Sequence, residues 1–378
     1  MQRQRYHKRS TALPFLAALS ITLLCLVSCE SRKPPLRIGL SVNLSGRGGT
    51  AGEYIRDGAM LAVEEINQRG GVNGRPLQLL VRDDGNTDEG VMKADKSLIH
   101  EEVVAIIGHT HSDSTLKAYP YVTSHNTLLF TSYTATTLLT GKDDLFFRTS
   151  VDTQVYGAAL GKLLARKKVR TVAFLMDMSN PSFATEYVEE TRKHFSGTVV
   201  TVPFDYRKRP DMDTVLPGLT KAAPQAVILL TEVSMTGIAA QKLRAKGFRG
   251  DLIATLWAQT PDLLRYGGSA VEGMTLLTFI DPENKRPDYL AFSERIREKF
   301  KAEVSARTDR AYEAVCILAE ALKKCPTPTA AELKAALLSM EFVTLMGPVR
   351  FDRYGDVIRP VYEVQIQDGR FRNRGEIQ

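Results

Sequence analysis

The chain has 378 residues, 43% of them hydrophobic, with a formal net charge of +7 and a pI near 9.1. That length supplies two or three domains with ample core, and four cysteines are too few for a disulfide scaffold. Past residue 30 no run of about 18 apolar residues occurs, which excludes a bundle of spanning helices. Part of the charge belongs to the N-terminus, where Arg3, Arg5, Lys8 and Arg9 precede an apolar run from Leu13 to Val27. The run is broken by Pro14, Ser20 and Thr22 and falls short of the ~20 residues of a spanning helix, so residues 1–28 read as a signal peptide. Without it the charge falls to +3, which gives no argument for nucleic acid.

Leu26-Val27-Ser28-Cys29 resembles the bacterial lipoprotein box. The resemblance implies cleavage before Cys29, a lipid on its thiol, residues 29–35 as a tether, and a body outside the cytoplasm held to a membrane. Cys316 and Cys325 are nine positions apart in a helical segment and so face opposite sides. They read as packing residues without a redox or metal role.

Period-two alternation over Leu36–Leu44 predicts a first strand, followed by a glycine-rich loop, Ser45–Gly52. Glu53–Gln68 carries Ile55, Ala59, Ala62, Val63 and Ile66 on one helical face and ends at Gly70-Gly71. Strands at Pro76–Arg82, Val103–Ile107 and Thr127–Thr131 are separated by helices at Asp88–His100 and Thr115–Ser124. After Phe147-Arg148-Thr149 the alternation restarts. Helices at Asp152–Arg166, Phe183–Phe195, Met212–Lys221 and Ser234–Lys246 are interleaved with strands at Thr171–Met176, Val199–Phe204, Ala226–Thr231, Leu252–Thr255 and Gly273–Phe279. Two sets of βαβ units predict an α/β protein of two doubly wound lobes with parallel sheets. Tyr289–Phe300, Arg310–Lys324 and Thr329–Ser339 are helical, and Val349–Phe351 with Tyr362–Ile366 reads as a hairpin. On this pattern lobe 1 comprises 36–150 plus 281–345, and lobe 2 comprises 151–280 plus 346–378.

The stretch Gly108-His109-Thr110-His111-Ser112-Asp113-Ser114-Thr115 turns from an apolar strand into a helix. Free N–H groups and the helix dipole favour an anion there, and Ser112 sits at the helix start. Ser132-Tyr133-Thr134-Ala135-Thr136-Thr137 is a second hydroxyl-rich turn. Both turns lie at carboxyl ends of parallel strands, where open α/β sheets bind ligands.

Three stretches in register resemble the solute-binding lipoproteins of branched-chain amino-acid ABC transporters: Ile66-Asn67 through Gly74 with Asp83-Asp84; Ile106-Ile107-Gly108 and its turn; and Phe147-Arg148-Thr149 with Asp152, Gln154 and Gly157. The resemblance covers about Leu36 to Ile366. It implies the type I periplasmic-binding-protein fold, two lobes hinged by three crossovers and closing on a ligand, with an ABC permease as partner. It also implies a carboxylate held by Ser112 with Thr134, Ala135 and Thr136. The second lobe departs from the family. Phe183 stands where a tyrosine is usual, and Trp257 stands about where leucine-type binders carry an ammonium-grasping glutamate. Trp257 offers an aromatic face to a cation, and Glu232 or Asp152 is the candidate for the missing charge. The expected ligand is an amino acid gripped differently, or a related acid or amide. The alternative role is an extracytoplasmic sensor with the same fold.

His109-Thr110-His111-Ser112-Asp113 has the spacing of an H-x-H-x-D metal motif, but Ser114 stands where a third histidine would follow. Gly46–Ala51 fits G-x-G-x-x-A, yet the first suitable acid, Asp83, lies 37 positions after Gly46 rather than about 20. No nucleophile–base set is evident, so neither an enzyme nor a cofactor is expected.

Overall fold

The structure is a computed structural model, and it describes residues 33–45 and 48–378. The signal segment, the lipidation candidate Cys29, and Gly46-Arg47 of the glycine-rich loop lie outside the described residues.

The first sheet has five strands: β1 (Leu36–Val42), β2 (Leu77–Asp83), β3 (Ala105–Ile107), β4 (Leu128–Thr131) and β5 (Phe146–Arg148). All pair in parallel in the order β2-β1-β3-β4-β5. The second sheet contains β6 (Thr171–Asp177), β7 (Thr198–Phe204), β8 (Ala226–Leu230), β9 (Asp251–Thr255) and β10 (Thr275–Thr278) in parallel. The central strands β3, β4 and β8 are buried throughout, as sheets covered by helices on both faces require.

Three passes of the chain join the lobes: after β5, after β10, and before residue 362. The last pass corrects the sequence reading. Val349–Phe351 does not pair with Tyr362–Ile366. Instead β11 (Glu341–Thr344) pairs with β12 (Gly347–Arg350), and Val349, Phe351 and Val357 pack in the first lobe's core. Residues 347–357 therefore stay with the first lobe rather than opening the second at 346. The hairpin that returns to the second sheet is β13 (Tyr362–Gln367) with β14 (Arg370–Glu376), antiparallel on β10. The expected helix Met212–Lys221 is two single turns, Met212–Val215 and Pro217–Thr220, because Pro217 removes a backbone donor.

Helix Gly49–Gln68 buries Ile55, Ala59, Ala62, Val63 and Ile66 against the first sheet and helix Thr308–Leu322. Gly58 permits that approach: a Cβ there would lie 2.1 Å from the Thr308 carbonyl oxygen. Asp152 caps helix Thr153–Arg166 by accepting from Val155 N, and Thr329 caps Ala330–Ser339 likewise. Cys316 and Cys325 are free thiols.

Candidate ligand-binding cleft

Turns from both lobes converge between the sheets. From the first lobe come Thr110 after β3, and Tyr133 and Ala135 after β4. From the second come Asn180 and Phe183 after β6, and Trp257 after β9. Together with Tyr156, Arg307 and Arg310 they line a partly open cavity of about 40 Å³. Every one of these turns follows the carboxyl end of a parallel strand.

Ala135, Phe183 and Trp257, predicted as site residues, line this cavity. Trp257 is half-buried and meets Phe183 edge-on at 5.7 Å and His111 edge-on at 5.4 Å. Ser112, Thr134 and Thr136 lie behind the wall, fully buried and engaged within the protein. Ser112 Oγ accepts from Ala135 N at 3.2 Å, and Thr134 Oγ1 meets Thr115 Oγ1. Thr136 Oγ1 donates to Glu186 across the lobes. Ser112 thus fixes the Ala135 turn instead of capping its own helix.

The two acids considered for an ammonium group are engaged elsewhere. Both Glu232 oxygens accept from the start of its own helix: Met235 N at 2.9 Å, Ser234 N at 2.9 Å, and Ser234 Oγ. Asp152 accepts from Val155 N and Thr140 Oγ1 and faces the buried Arg148 guanidinium at 3.4 Å.

The histidines of the H-x-H-x-D pattern diverge. His109 Nε2 sits 3.2 Å from the Asp95 carboxylate, whereas His111 Nδ1 pairs with Thr110 Oγ1 at 3.0 Å. Burial, then Arg307 and Arg207, push the His111 imidazole down to about 3, so it is neutral at physiological pH. Among the described residues no three His, Cys, Asp or Glu side chains are placed to hold a metal ion.

Sequence reasoning missed Tyr156, Arg307 and Arg310. The arginines are three apart at the start of a buried helix, which puts them on one face. That spacing was the available signal. Arg307 Nη2 donates to the Trp257 carbonyl at 2.9 Å, tying the lobes together, while its own carbonyl accepts from Tyr133 Oη at 2.8 Å. Arg310 lies over the Tyr133 ring at 4.4 Å and donates to Ser132 O at 2.6 Å. Burial, then Arg310, push the Arg307 guanidinium down to about 10, still protonated at neutral pH. Arg307 Nε and Tyr156 Oη are buried without a hydrogen-bond partner among the described residues. In a cavity wall, unpartnered groups of this kind are available to a ligand.

Two hinged α/β lobes flank a polar-and-aromatic cleft, the architecture of a solute receptor. The chain belongs to the periplasmic binding protein family, whose sequence profile matches residues 35–370. It is similar to the leucine-, isoleucine-, valine-, threonine- and alanine-binding protein of Pseudomonas aeruginosa, 26% identical over 326 residues, 85% of this chain and 87% of that one. Its fold is similar to a leucine-binding protein from Thermotoga maritima (TM-score 0.82, 21% identity, 91% of this chain and 99% of that chain). It is also similar to a solute-binding protein from R. palustris in complex with benzoate (TM-score 0.81, 18% identity, 91% and 96%). Like its family, the chain is a binding protein that acts outside the cytoplasm on a small molecule without catalysing a reaction.

Proposed function

We propose that this chain is a lipid-anchored receptor, held to the membrane through Cys29, that captures a small carboxylate between its lobes and delivers it to an ABC permease. The observation that carries the reading is a pair of cavity-lining residues, Arg307 from one lobe and Tyr156 from the other, each with a buried donor, Nε and Oη, left without a partner. A carboxylate bridging them would satisfy both only when the lobes are closed. The relatives' ligands, branched-chain amino acids and benzoate, share a carboxylate. The Ala135 turn, fixed by Ser112 and flanked by Thr134 and Thr136, lines the cavity beside them. In this reading residues 36–150 and 281–357 make one lobe and the remainder of the body the other.

The test is a thermal-shift screen of the soluble body from Ser31 onward against small carboxylates, with and without amino groups. A ligand at 100 times its Kd adds ~2.7 kcal/mol of stability. A shift with at least one carboxylate is expected, and none across the panel refutes the reading. Loss of palmitate labelling in Cys29→Ala checks the anchor.

A further inference from the structure

We infer that the cleft selects a carboxylate that carries no ammonium group and has a flat, apolar body. This deepens the capture reading above and rests on it.

An α-amino acid brings two charges into a closed site, and each needs a partner once water is expelled. The cavity wall contains Arg307 and Arg310 but no aspartate or glutamate. Among the described residues neither guanidinium has a carboxylate within 4 Å. The surrounding acids are occupied. Glu232 is held by its own helix, Asp113 by Ser182, and Glu186 by Thr137 and Thr153. Asp309 binds the Tyr289 hydroxyl at 3.1 Å. Burial raises its carboxyl to about 7, so it offers only a partial charge to Arg310. His111 is neutral, pairs through Nδ1 with Thr110 Oγ1, and does not line the cavity.

A carboxylate therefore meets two buried cations, while an ammonium on the same molecule would face them with no acid in the cavity wall to pair with. The Trp257 ring is a weak substitute with a guanidinium at its own carbonyl. Beside the neutral Thr110, Ser150, Asn180 and Thr255, the large surfaces of the slot are rings, Tyr133, Tyr156, Phe183 and Trp257, with Phe183 against Trp257 at 5.7 Å and Tyr187 behind stacking on Tyr156 at 5.9 Å. Rings prefer offset or edge-to-face partners, which a planar apolar body supplies.

Trp257 is the chain's single tryptophan, so its fluorescence reports this cavity directly. Titration would use benzoate, phenylacetate and 4-hydroxybenzoate on one side, and leucine, valine and phenylalanine on the other, with calorimetry in parallel. At least one member of the first group is expected to bind at least a hundredfold more tightly than any amino acid. Arg307→Gln should weaken that binding tenfold or more. Tyr156→Phe, which keeps the ring in place, should weaken it severalfold without lowering the melting temperature of the free protein. Binding of an amino acid as tight as the best ammonium-free acid overturns the inference and leaves solute capture standing. Silence with both groups overturns solute capture itself.

Discussion

Replacing Asp113 by alanine removes a contact that exists only between closed lobes. Asp113 belongs to helix Ser112–Ser124 of the first lobe, and its Oδ2 accepts from Ser182 N at 2.9 Å and Ser182 Oγ at 3.0 Å. Ser182 opens helix Pro181–His194 of the second lobe, whose own N-cap residue, Asn180, makes no side-chain cap. The opposite lobe thus supplies the cap. Losing a side-chain N-cap costs about 1 kcal/mol, and the charge-assisted hydroxyl bond adds more. Asp113 is half-buried, so solvent screening reduces the total to about 1.5–2 kcal/mol. The variant keeps Asn180 Oδ1 as acceptor of the backbone N–H of residue 113, so the loss is confined to the carboxylate. Because the bond forms only on closure, the cost falls on the liganded state, and Kd should rise about ten- to thirtyfold. Calorimetry gives Kd, and small-angle scattering with and without ligand gives the degree of closure. Burial raises the Asp113 carboxyl above its ordinary value. By linkage, any pH dependence through Asp113 should run toward tighter wild-type binding in mildly acidic buffer and be absent in the alanine variant. A Kd within twofold of wild type would refute the interlobe cap.

Two further outcomes follow from the core. Gly58→Ala places a Cβ 2.1 Å from the Thr308 oxygen, a backbone atom that cannot rotate away. It should destabilise the first lobe by about 2–3 kcal/mol, and an unchanged melting temperature would refute the close helix approach. Asp309 has its carboxyl raised by burial from 3.8 to about 7, so the folded state holds its proton more tightly than the unfolded chain. Its contribution to stability is most favourable below about pH 4, declines as pH rises to about 7 and is flat above, a change of a few kcal/mol. Denaturant midpoints across that range should lose this slope in Asp309→Asn.

The two lobes were legible in the sequence because period-two runs and helical faces repeat locally. Phe183 and Trp257 were legible because each follows a recognisable strand. The last crossover was not. Val349–Phe351 and Tyr362–Ile366 both have strand composition, and local pattern carries no sign of which partner each finds. The pairing is decided by burial, since Val349 and Phe351 fill the first core beside Phe130 and Phe147 while Val364 and Ile366 fill the second. The same limit applied to charge. Glu232 and Asp152 are acids near strand ends, but each precedes a helix, and capping competes for such a carboxylate before any ligand does. Arg307 and Arg310 read as ordinary charges at a helix start. That they line a cavity without an acid of its own becomes visible only once the lobes are brought together.

Arg307 is where ligand recognition and closure meet. Its Nη2 donates to the Trp257 carbonyl of the other lobe, a contact made on closure, while its own carbonyl accepts from Tyr133 Oη within the first lobe. The ligand's other donor, Tyr156 Oη, approaches from the second lobe and is likewise buried. An anion spanning both has differential affinity for the closed form, the only property by which a ligand shifts such an equilibrium. Selectivity and closure then share one cause. A zwitterion that leaves its ammonium against the guanidinium pair forfeits part of the energy that holds the lobes shut. It should be bound more weakly and also leave a larger open population at saturation than an ammonium-free acid does.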